Sequence, residues 1–97
     1  MNYSDYRRAL LNAVEMRANC SAQYLQTQPV RISVDGKVLW DGKVEIFQLS
    51  NHPQAKQAFG WWFQNKENKT EYVAIMGVPP LDTPLAAVKA FAATHGK

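Results

Sequence analysis

The side chains able to do chemistry are few and lie far apart in the chain. The two histidines, His52 and His95, have no partner at a zinc-ligand spacing, and Cys20 is a lone cysteine. The eight Asp and Glu residues are scattered through predicted turns and surface positions, and their spacing alone does not show an acid–base pair that the fold could still bring together. The sequence therefore predicts no catalytic residue, no metal site and no cofactor, and it favours a non-enzymatic protein.

A segment Asp-Gly-Lys-Val occurs twice, at 35–38 and 41–44. A calcium loop needs oxygen ligands at alternate positions, and the residues between the two Asp side chains supply none. The first Asp-Gly pair follows an alternating strand pattern, which predicts a type I′ hairpin turn with positive φ at Asp35 and Gly36. Only four residues separate the second Asp-Gly pair from the first, which is too short a strand for another hairpin. We interpret it as a β-bulge with Gly42 in the left-handed conformation.

Two helices are predicted to flank a set of strands. Apolar residues at helical spacing indicate a first helix from Ser4, its cap, to about Gln26. The second helix is expected to begin with Thr83 as cap and Pro84 at its first position, and to end at Gly96. Its predicted core face comprises Leu85, Val88 and Phe91.

Alternating and apolar runs between the helices predict three or four antiparallel strands in an α-β-β-β(-β)-α order. The 97 residues and 46% hydrophobic content are typical of one globular domain. We therefore predict a single α+β domain over residues 1–97. In it, both helices lie on one face of a meander sheet.

The aromatic residues of the strands predict an interaction face. Successive strand side chains point to opposite faces, so Trp61 is expected in the core and Trp62 on the other side. If the helices cover only one face, the other exposes large apolar groups, which normally mark a binding surface. The expected interaction face comprises Trp40, Phe47, Trp62 and Tyr72. The favoured function is a binding module that self-associates through this face as a homodimer, or binds another protein there.

Two other functions stay open. Base stacking on the same face would make the protein a nucleic-acid-associated module, although a net charge of +3 is small for that role. The basic residues available for phosphate contact are Arg31, Lys37, Lys43, Lys56, Lys66 and Lys69. The other function is that of a small enzyme or ligand-binding protein with a pocket near His52, between the first helix and the sheet.

The element order resembles that of double-stranded-RNA-binding domains, and "ISVDGKVLWDGK" is similar to their central hairpin. Those domains begin their last helix with a basic cluster. Here the corresponding segment "PLDTPLAAVKAF" has Lys89 as its one basic residue, so the resemblance implies a similar fold and no RNA binding.

A second resemblance covers roughly Val30 to Pro80. The pattern Trp-x-Gly-x-Val-x-x-Phe from Trp40, followed by His-Pro-x-Ala from His52, resembles a group of small uncharacterised bacterial proteins. That likeness implies a shared fold, and no activity follows from it. The N-terminal segment lacks the apolar stretch of a secretory signal, so we expect a cytoplasmic bacterial protein with no membrane association.

Overall fold

The computed structural model describes residues 2–95, which form two helices and four strands. The elements are α1 (Tyr3–Ala18), β1 (Ala22–Val34), β2 (Lys37–Leu49), β3 (Gln57–Gln64), β4 (Thr70–Met76) and α2 (Pro84–His95). The strands are antiparallel neighbours in the order β1-β2-β3-β4. The predicted α+β class, meander sheet and element order are confirmed. Neither described helix has the length and apolar character needed to cross a bilayer.

Helix α1 is shorter than predicted. Asn2, not Ser4, is its N-cap, and it forms a capping box with Asp5. The helix ends because Asn19 takes the left-handed conformation, with φ at 55°, and donates its N–H to a helix carbonyl. The predicted extension to Gln26 is wrong, since residues 22–26 belong to β1 and pair with β2.

The β1–β2 hairpin confirms one of the two Asp-Gly interpretations. Asp35 and Gly36 have φ of 53° and 78°, as a type I′ turn requires. The bulge predicted at Gly42 is wrong, because Gly42 pairs directly with Val30 and the extra residue of β2 is Leu39. Gly42 is needed for a different reason. A Cβ there would lie 2.9 Å from Cη2 of Trp40, whose indole ring covers this position.

Substituting Gly36 with valine is expected to lower the free energy of unfolding by about 1–3 kcal/mol, the usual cost of a disfavoured backbone conformation. Apart from Gly36 itself and its two neighbours in the chain, no heavy atom lies within 4 Å of the added Cβ, so the loss comes from the positive φ and not from crowding. Urea titration of wild type and variant measures it. An unchanged midpoint would contradict the strain argument.

The two helices lie on opposite faces of the sheet, which corrects the prediction that they share one. Phe59 and Trp61 of β3 pack with Val88 of α2. The alternate residues Ala58 and Trp62 belong to the cluster formed with α1. Because the strands are apolar on both faces, each face needs a helix to cover it. The predicted division of strand residues between two faces, with Trp61 in the core, is confirmed.

Helix α2 begins as predicted. The hydroxyl of Thr83 accepts a hydrogen bond from the Ala86 N–H at 3.1 Å, and Pro84 is the first helical residue. Val88 is fully buried, but Leu85 is 41% exposed, so its predicted core role is wrong. Ala87 takes the buried position instead. The predicted end at Gly96 lies outside the described residues.

Candidate interaction edge

A fully buried carboxylate, Glu45, joins α1 to the sheet. It accepts hydrogen bonds from the Tyr3 hydroxyl at 2.6 Å, the Thr27 hydroxyl at 2.9 Å and Nε of Arg7 at 3.0 Å. Three donors from two different elements therefore satisfy a charge that would otherwise be costly to bury. Glu45 was not predicted as important. The sequence feature that could have identified Glu45 is a single acidic residue between Val44 and Ile46 in an otherwise apolar run.

Aromatic rings enclose this ion pair. The Arg7 guanidinium lies 4.0 Å from the ring centroid of Tyr24 and 4.9 Å from that of Tyr3. Beside it, Trp62 stacks on Tyr6 with centroids 5.5 Å apart. The three hydrogen bonds to Glu45 join α1 and β1 to β2, which is a structural role for the cluster. It docks the first turns of α1.

The contacts of this cluster change the pKa of the Tyr3 phenol. Partial burial, and then the hydrogen bond to Glu45, raise the pKa of the Tyr3 phenol above the ordinary value of about 10, although the residue is 39% exposed. For Arg7, burial opposes the charge, but the hydrogen bond to Glu45 raises the pKa of the guanidinium overall. The protonated phenol is therefore favoured in the folded state.

We expect Tyr3→Phe to reduce the loss of stability at alkaline pH. A folded-state pKa above the unfolded one adds stability that is complete below about pH 10 and disappears as pH rises through the folded pKa. The variant lacks this ionisation. Urea midpoints of both proteins from pH 7 to 11 should differ most at neutral pH and converge as the pH rises. A constant difference would show that the phenol does not titrate against Glu45.

The four residues of the predicted interaction face do not lie on an open surface. Phe47 is fully buried beneath α1, and Trp62 and Tyr72 are half-buried beside the same helix. Trp40 lies on the opposite face, edge-on to Trp61 at 5.6 Å. The expectation of one uncovered aromatic face is thus wrong, because α1 covers it.

The other predicted site residues are dispersed. The Nδ1 atom of His52 accepts backbone N–H groups of Gln54 and Ala55, so His52 caps its own loop. Lys56 lies in the β2–β3 connection, at the opposite end of the meander from the β1–β2 and β3–β4 turns. The remaining basic residues are exposed on the β1–β2 hairpin and the β3–β4 loop and comprise Arg31, Lys37, Lys43, Lys66 and Lys69.

The outer edge of β4 is one of the two edges of the sheet. Within residues 2–95, no strand pairs with that edge. The hydrogen bonds from Asn65 N–H to the Lys69 carbonyl and from Gly77 N–H to the Gln57 carbonyl flank an uninterrupted β3–β4 register. Antiparallel pairing alternates, so the backbone groups of intervening residues point away from β3. These outward residues are Thr70, Tyr72, Ala74 and Met76.

The opposite sheet edge, β1, is protected by contrast. It carries Pro29, which has no N–H to donate, and a bulge at Leu25 that interrupts its register. Strand β4 has no proline and no bulge. Natural proteins usually blunt exposed edges by such devices, so an unprotected edge is a pairing template.

A groove of about 500 Å³ runs along β4. Ala13 and Arg17 of α1 form one wall, and Ala90 and Phe91 of α2 form the other. Both faces of β4 contribute to its floor, since consecutive residues 71–75 line it. The partly buried apolar side chains of β4 therefore lie between two helices, beside outward backbone groups with which no other strand of residues 2–95 pairs.

No family model matches this chain, and neither a curated protein nor a solved structure does.

Proposed function

We propose that this protein is a protein-interaction module that accepts an extended strand along the outer edge of β4. The observation that carries the proposal is the unprotected edge itself, which lies in a groove between α1 and α2. Adding a strand to a sheet edge is a common way to bind a protein segment. The backbone hydrogen bonds supply affinity, and alternate side chains supply specificity.

The β4 side chains suit this role. Val73, Ala74 and Ile75 are apolar and only partly buried, so an added strand would remove apolar surface from water. The backbone of β4 is already held by β3 along its whole length, from Thr70 to Met76. A pre-ordered acceptor strand loses little conformational entropy when a partner binds.

The first test uses a synthetic seven-residue peptide of alternating Thr and Val, capped at both ends, as a generic strand. Added to dilute ¹⁵N-labelled protein, it should shift the amide signals of Tyr72 and Ala74, whose N–H groups point outward. The same peptide should not perturb β1 amides, because Pro29 and the bulge at Leu25 interrupt that edge. Shifts elsewhere only, or none at millimolar peptide, would overturn the proposal.

A matched pair of proline variants gives the control. Ala74→Pro removes an outward N–H without removing a hydrogen bond to β3, so it should abolish peptide binding and leave the fold intact. Arg31→Pro places a proline on the other edge strand, β1. The position is two residues from Pro29, in the same uninterrupted part of the β1–β2 pairing. It should leave peptide binding unchanged. Equal effects of the two variants would count against β4 as the binding edge.

A further inference from the structure

We infer that the Asp35-Gly36 turn is a modification site, at which the folded protein forms isoaspartate without an enzyme, while the second Asp-Gly pair is protected. The segment Asp-Gly-Lys-Val occurs at both places, so the residues that follow each aspartate are the same. The folded structure distinguishes the two copies. The inference is independent of the proposed function, because it concerns the β1–β2 hairpin and not the edge of β4.

The reaction is an intramolecular condensation that needs only water. The backbone nitrogen of the glycine attacks the side-chain carboxyl carbon of the preceding aspartate. A C–N bond forms, and the amide hydrogen leaves with the carboxyl hydroxyl as one water molecule. Water then opens the five-membered succinimide. Opening at the side-chain carbonyl restores aspartate, and opening at the backbone carbonyl gives isoaspartate, whose main chain runs through the side-chain methylene group.

Each site must open locally before this attack. The nitrogen reaches the carboxyl carbon only after the bond between Cα and the backbone carbonyl carbon of the aspartate has rotated away from its value in a type I′ turn or in a strand. The rate at each site therefore follows the population of the opened backbone, and that population depends on the contacts that opening breaks.

Opening the turn at Asp35 breaks few contacts. Asp35 and Gly36 are exposed and lie beyond the last pair of the hairpin ladder, Val34 with Lys37. Asp35 has a φ of 53°, which a residue with a side chain adopts at some cost, so rotation away from it relieves strain. Apart from its two chain neighbours, no heavy atom lies within 4 Å of a Cβ placed on Gly36. The turn is therefore free to open.

Opening the strand at Gly42 breaks a hydrogen bond of the ladder. The Leu49 N–H points away from β1, since it donates to the Lys56 carbonyl at 2.8 Å. Backbone direction alternates along a strand, so Gly42, an odd number of residues earlier in β2, points towards β1. There it pairs with Val30. The nitrogen that would attack Asp41 is thus held by the sheet.

Trp40 adds a second restraint at the same place. Its Cη2 atom lies 2.9 Å from a Cβ placed on Gly42, and its ring packs edge-on against the buried Trp61 with centroids 5.6 Å apart. Freeing the Gly42 nitrogen disturbs this packing as well as the ladder. We therefore expect Asp41 to react at least roughly tenfold more slowly than Asp35 in the folded chain, the factor that corresponds to about 1.4 kcal/mol of additional opening cost.

Tryptic digestion reports the two sites separately. Cleavage after Arg31, Lys37 and Lys43 gives peptides 32–37 and 38–43, each with one Asp-Gly pair. The folded protein is kept for weeks in mildly acidic buffer, where the reactive protonated carboxyl is more abundant, and is then digested beside an unaged sample. Chromatography separates the aspartate and isoaspartate forms, and electron-transfer fragmentation identifies them. Isoaspartate should accumulate in peptide 32–37 and stay at least roughly tenfold lower in peptide 38–43.

The same chain aged in urea is the control for local sequence. Without the fold, both peptides should form isoaspartate at similar rates. Similar accumulation at both sites in the folded protein would overturn the inference, and so would protection of both. A preference for peptide 32–37 that persists unchanged in urea would also overturn it, because the fold would then not be the cause.

Two asparagine variants give a second measurement that is read by mass. Asp35→Asn and Asp41→Asn undergo the same ring closure with loss of ammonia in place of water, and ring opening by water then leaves an acid. In the folded state, Asp35→Asn should deamidate at least roughly tenfold faster than Asp41→Asn, and in urea the two rates should converge. Circular dichroism establishes beforehand that each variant is folded. Equal rates of deamidation in the folded variants would overturn the inference, and if a variant does not fold, the wild-type peptides decide it.

Discussion

Replacing Trp61 with alanine is expected to lower the free energy of unfolding by about 3–5 kcal/mol, the cost of removing a large buried aromatic side chain. Trp61 is only 2% exposed, and its ring packs edge-on against Trp40 at 5.6 Å and Phe91 at 5.3 Å. It therefore joins the β1–β2 hairpin, β3 and α2. A loss of this size is a large part of the stability expected for a chain of 97 residues.

The matched control is Trp61→Phe. The indole Nε1 of Trp61 is buried and has no hydrogen-bond partner among the described residues, so phenylalanine removes an unsatisfied donor while keeping much of the ring. We expect this variant to lose less than half as much stability as Trp61→Ala. Guanidinium titration followed by far-ultraviolet circular dichroism measures both. If Trp61→Phe lost as much stability as Trp61→Ala, the indole nitrogen would have to form an important interaction that neither variant keeps.

Replacing Glu45 with alanine is expected to cost about 3 kcal/mol, at the lower end of the range for breaking a buried ion pair. The substitution leaves the hydroxyls of Tyr3 and Thr27 and the guanidinium of Arg7 without their shared acceptor. The cost is moderated because the Arg7 side chain is 31% exposed and can still reach water. The first turns of α1 should loosen from the sheet.

Amide hydrogen exchange gives the decisive measurement for Glu45. Protection should fall for the first two turns of α1 more than for β3, because the cluster holds that end of the helix. The control is Glu71→Ala, which removes an exposed glutamate and should change stability by less than about 0.5 kcal/mol. A uniform loss of protection across the whole chain would contradict a local docking role.

Much of the fold could be predicted because the relevant signals are local. Asp35-Gly36 forms its turn through the backbone preferences of two adjacent residues, and Thr83-Pro84 begins α2 through a cap and a fixed φ. Alternation along β3 sends Trp61 and Trp62 to opposite faces whatever covers them. These features depend on neighbours in sequence, so the sequence by itself determined the class, the element order and the two apolar faces.

The candidate interaction edge could not be predicted from the sequence, because tertiary packing decides where it lies. Which face each helix covers is set by packing over the whole sheet, so α1 could bury Phe47 although the strand pattern left it exposed. The partners of Glu45 come from residues up to 42 positions away in sequence. The open edge of β4 exists only because the meander ends there. Spacing along the chain carries no information about such long-range pairing, and only the folded sheet decided which strands lie at its edges.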